Sequence, residues 1–159
     1  MWKKILCAFV LSYMGHAFAG PLDPIISKAW IGETIPEQTT ATLQLNLMTV
    51  KAVTLISASS PMSEAIEIHG LQRGKGGMKI QVLSKLPLQD HSTTNFGANG
   101  LFLMMTGLKQ SLQIGDHVPV SLTFEFSDKQ KKTINAVAEI KKMDLSYKHY
   151  SPKHVYDHR

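Results

Sequence analysis

The sequence predicts an all-β protein, a two-sheet antiparallel sandwich or barrel of about eight strands. Apolar and polar residues alternate along many short runs. Helical periodicity is scarce. Turn signals rich in Gly, Asn and Asp separate the runs at regular spacing.

The runs follow in order. "TATLQLNLM" (40–48) sets Leu43, Leu45 and Leu47 on one face. "AVTLISAS" (52–59) follows after a short break. "AIEIHG" (65–70) sets Ile66 and Ile68 on one face and His69 beside the coming turn. After "RGKGG" (73–77) comes "MKIQVL" (78–83). "SKLPLQD" (84–90) contains proline and is expected to be a crossing between strands. "FGANG" (96–100) turns the chain into a short apolar strand within "GLFLMMTGL" (100–108). "QIGD" (113–116) leads to "VPVSLTFEF" (118–126), where Val118, Val120, Leu122, Phe124 and Phe126 alternate. "SDKQ" (127–130) leads to "TINAVAEI" (133–140), with Ile134, Ala136, Ala138 and Ile140 in phase. Residues 144–159 lose the alternation and are expected to form a polar, His-containing flexible tail.

The first nineteen residues are expected to be a signal peptide. "MWKK" is basic, "ILCAFVLSYMG" is apolar, and "AFA" precedes a cleavage after Ala19. The apolar run is short for a membrane span, which needs roughly 20 residues. Cleavage leaves one domain, 20–143, with the tail behind it, and no further membrane span is expected. It also removes Cys7, the sole cysteine, and so excludes disulfide and thiol chemistry. A cysteine-free secreted chain points to a bacterial periplasm. Lys plus Arg falls from 17 to 15 against 12 acids, a net charge of +3. Much of the excess lies in "KQKK" (129–132) and "KK" (141–142), without the interleaved aromatics of a nucleic-acid face, so no nucleic acid is expected. No catalytic motif is present, and no enzyme is expected.

The order "ISKAW" (26–30), a Leu-rich strand, "ASSPMSEAIEIH" (58–69), "GGMKI" (76–80) and "LMMTGLKQSLQIGDHVPVSLTF" (103–124) resembles the periplasmic copper chaperones of the PCuAC type. The resemblance covers about residues 25–141. It implies a cupredoxin-like β-sandwich that binds Cu(I) and hands it to a periplasmic or inner-membrane recipient, a cytochrome c oxidase subunit among the candidates. The family's metal motif is His, ten residues, Met, twenty-one residues, His, one residue, Met. Counted from His69, these positions hold Ile80, Phe102 and Met104. His69 and Met104 match; Ile80 and Phe102 do not.

Cu(I) favours thioether and imidazole donors, three or four in number. Met78 shares a strand face with Ile80, roughly 6.6 Å away. A trigonal site of His69, Met78 and Met104 is therefore one expectation. Met62 is a poorer donor candidate, and Met105 points to the opposite face from Met104 and into the core. The second expectation is a copper-free relative that keeps the fold and acts as an envelope adaptor. A third places Cu(II) on the tail imidazoles His149, His154 and His158, with Asp157 beside the last. His91 and His117 are given no role. A monomer is expected.

Overall fold

The computed structural model describes residues 22–98 and 100–142. The signal peptide, the cleavage after Ala19 and the tail His149, His154 and His158 lie outside the described residues. Ten strands form, and no helix occurs among the described residues. They are β1 (Ile25–Gly32), β2 (Thr40–Thr49), β3 (Val53–Ser59), β4 (Ser63–Gly74) and β5 (Gly77–Leu83), then β6 (Leu86–Leu88), β7 (Ser92–Phe96), β8 (Leu101–Leu108), β9 (His117–Glu125) and β10 (Lys131–Lys141).

The alternation in the sequence becomes the inside and outside of the sheet. Leu43, Leu45 and Leu47 are buried from β2, and Ile66 and Ile68 from β4. Leu103 and Met105 are buried from β8, and Val118, Val120, Leu122 and Phe124 from β9. Ala138 and Ile140 complete the core from β10, with Ile134, Ala136 and Phe126 packed at its margin. Each fully buried Val, Leu, Ile, Phe or Met among them contributes about 1.5–3 kcal/mol on leaving water.

The strand order is β5-β4-β8-β2-β1-β10-β9-β3-β6. A further pairing of β3 with β4, at Ala58 and Ile66, closes the sheet on itself. Seven strands thus ring the core, and β5 and β6 extend from the seam as flanges. β7 pairs with the second half of β2, beside the stretch that β8 takes. β1 and β10 run parallel, the only parallel pair among the described residues.

Ten strands stand where about eight were expected. β6 is three residues long and lies within the proline-containing segment expected to be a crossing between strands. β7, "STTNF", is too polar to show alternation and follows from its ladder to β2. β1 is interrupted by a bulge between Ser27 and Trp30, where Lys28 takes φ 51°.

Candidate metal centre

Ile66 and Ile68 face the core, so period-2 geometry sends Glu67, His69, Leu71 and Arg73 outward from β4. Leu103 and Met105 face the core, so Phe102 and Met104 point outward from β8. The β4–β8 ladder sets Glu67 against Met104 and His69 against Phe102. On the other side of β4, the hairpin turns through Lys75 and Gly76, with Gly74 paired to Gly77. That turn fixes three more pairs on the same face: His69 with Val82, Leu71 with Ile80, and Arg73 with Met78.

All four motif positions therefore lie on one outward face. His69 is at the centre, Phe102 directly across from it, and Met104 and Ile80 diagonal to it on the two neighbouring strands. Diagonal neighbours on a sheet face stand roughly 7–8 Å apart, within reach of long side chains. His69 and Met104 can thus approach a common point. The His69 side chain is 18% exposed. Leu71, Ile80 and Val82 form an exposed apolar rim beside it.

The same register removes Met78 from the expected trigonal set. Met78 is level with Arg73, whereas Met104 is level with Glu67, six positions earlier on β4. At about 3.4 Å per residue this is roughly 20 Å along the strand. Met78 shares the face, as the sequence implied, but not the place. The two-residue turn is the physical reason, because it carries Met78 to the hairpin tip.

One residue that the sequence reading passed over takes part. The Glu67 carboxylate Oε2 lies 2.8 Å from Nε2 of His69, in position to accept a hydrogen bond from the ring N–H. Glu67 sits two residues before His69 on a strand, and that spacing alone places them on one face. The donors nearest one another are thus an imidazole, a carboxylate and a thioether. Imidazole and thioether suit copper, and the carboxylate is a harder oxygen donor. Among the described residues no group of three or more His, Cys, Asp or Glu could hold a metal ion.

The other candidates are accounted for. Met105 is fully buried, as expected. Met62 packs against the core margin. His91 lies 3.4 Å from Asp90 at an exposed turn, and His117 opens β9 opposite Glu139. Lys131 and Lys132 are exposed at the start of β10, and Lys132 pairs with Asp23 at 2.6 Å. No helix of the described residues is long and apolar enough to cross a membrane.

A family profile, LpqE-like, whose description carries the word lipoprotein, matches residues 25–138. Among solved structures, the copper-bound PCuAC domain from PmoF2 superposes with a TM-score of 0.55 at 16% identity. That match covers 74% of this chain and 93% of the domain. The apo PCuAC domain from PmoF1 gives 0.57 at 13% identity, covering 76% and 94%. The solution structure of CuI-DR1885 from Deinococcus radiodurans gives 0.58 at 23% identity, covering 80% and 83%. At these identities the likeness is one of fold. Among curated proteins, none matches.

Proposed function

Since the chain belongs to the LpqE-like family, of PCuAC type, we propose that it is an exported copper-binding protein that carries Cu(I) on the β4–β8 face. One observation carries this reading. His69 and Met104, the two motif donors that remain, are diagonal neighbours on one outward face. The copper-bound PCuAC domain from PmoF2 and CuI-DR1885, which share the fold, support it. The role is carriage and transfer rather than catalysis.

Each neighbouring residue has a part in that role. The imidazole and the thioether are the soft donors that Cu(I) prefers. Glu67 holds the ring against the face by its hydrogen bond. Phe102, Ile80 and Val82 exclude water on the flanks and offer no competing donor. Two protein donors leave the ion under-coordinated, so a recipient's thiolate or imidazole can complete the coordination and draw it off. The recipient on this reading is a periplasmic or inner-membrane copper protein, a cytochrome c oxidase subunit being one candidate. The signal-like residues 1–19 and the family's lipoprotein description favour the periplasm as the site of action.

A second reading is favoured by a specific observation. Ile80 and Phe102 stand at two donor positions, and the third, His69, is already engaged by Glu67. On that reading the fold is an adaptor without metal, or copper as Cu(II) sits on His149, His154 and His158. Anaerobic Cu(I) titration of the protein lacking residues 1–19, against a competing chelator, separates these. The proposal expects one site, abolished by His69→Ala or Met104→Ala and retained when residues 144–159 are deleted. Loss only on deletion moves the metal to the tail. No binding by any variant leaves the adaptor.

A further inference from the structure

We propose that the free edge of β5 is a docking strand for an extended acidic segment of another protein, which adds to the sheet beside it. β5 ends the strand order, and among the described residues it pairs with β4 alone. Its outer edge therefore presents backbone N–H and C=O groups without a strand partner. Natural sheets guard such edges with proline, bulges, brevity or charge, and the one charge on β5 is Lys79. β5 has seven residues, no proline, and an unbroken ladder to β4.

The side chains fit a strand as partner. Met78, Ile80 and Val82 alternate on one face and are 54%, 62% and 61% exposed. An added strand would set its own alternate apolar residues beside them, which is the recognition mode of strand addition. From Ile68 to Gln89 the chain carries Arg73, Lys75, Lys79 and Lys85 and no acid. An acidic segment is the complement of that field.

Two other occupants fit less well. A bilayer would leave the edge's backbone groups unpaired in hydrocarbon, which has no donors or acceptors to offer them. A second copy would bring the same four cations against their equals. The inference does not rest on copper binding: it needs only the free edge, its cations and the exposed stripe, although Val82 stands across from His69.

The test uses the ¹⁵N-labelled protein lacking residues 1–19 and two capped seven-residue peptides. One alternates Glu with Val, the other Lys with Val. The Glu peptide is expected to shift the amides of residues 78–82 and slow their hydrogen exchange, and to do so less as salt is raised. Lys79→Glu should weaken it at least about tenfold, and Ile80→Lys should abolish it. Both positions are exposed, so unchanged spectra elsewhere will confirm that the variants fold. Four results would overturn the proposal. One is no shift of the β5 amides at about 1 mM peptide, and another is equal binding of the Lys peptide. A third is a concentration-dependent dimer that Ile80→Lys breaks, which would make the occupant a second copy. The fourth is attachment to phosphatidylglycerol vesicles that Ile80→Lys abolishes, which would make it a membrane.

Discussion

Phe102 stands directly across the β4–β8 ladder from His69, on the same outward face. A benzyl ring thus fills the position from which a second imidazole would face the first. Phe102→His should restore that donor, and adding Ile80→Met supplies a thioether on the other flank. The double variant is expected to bind Cu(I) at least about tenfold more tightly than the parent, by chelator competition. An unchanged affinity would mean that this face does not gather donors at all.

Adjacent methionines of β8 should behave differently. Met105 is fully buried, and Met105→Ala should cost about 2–5 kcal/mol in urea unfolding followed by tryptophan fluorescence. Met104 lies on the outward face, so Met104→Ala should cost less than about 1 kcal/mol. The reverse ranking would invert the assignment of the two faces.

The extension of β4 beyond the ring is clasped at one point. Leu71 N donates to the Gly100 carbonyl at 2.7 Å, and Gly100 has φ 77°. A Cβ built there would lie 2.6 Å from Cβ of Leu71, a main-chain-anchored atom that cannot swing away. Gly100→Ala should therefore destabilise by about 1–3 kcal/mol and accelerate exchange of the Leu71 amide. Wild-type exchange in that variant would show that the clasp is dispensable.

Thr34 and Leu112 bind one another across the interior. The Thr34 hydroxyl accepts from Leu112 N at 2.8 Å, and Thr34 N donates to the Leu112 carbonyl at 2.9 Å. Both residues are buried. Thr34→Val keeps the shape but leaves the Leu112 N–H unsatisfied, for an expected loss of about 1–3 kcal/mol. Thr34→Ser should retain most of the stability. Calorimetry on the pair of variants distinguishes a lost acceptor from lost packing.

Much of this architecture could be read from residue order, because burial on a strand has period 2. Leu43, Leu45 and Leu47 declare their common face, as do Val118 through Phe124. What could not be read that way depends on pairing between distant strands. β7 is polar and exists because β2 offers it an edge. The β1 bulge needs Lys28 in a left-handed conformation that its side chain does not announce. The face of Met78 was legible, but its level was not drawn from the turn. A two-residue turn at Lys75 and Gly76 already implies that Val82, not Met78, stands across from His69. Glu67 was equally within reach, two residues from His69 on the same strand.

The parallel ladder joins Trp30, Ile31 and Gly32 to Glu139, Ile140 and Lys141. The ring is therefore locked by the last of its strands in chain order among the described residues. A polypeptide emerging with its N-terminus first stays open until residue 141 has arrived, however early the hairpins form, because this long-range contact must wait for its second half. The β1–β10 ladder thus times maturation: until residue 141 has emerged, the ring keeps a gap between its first and last strands.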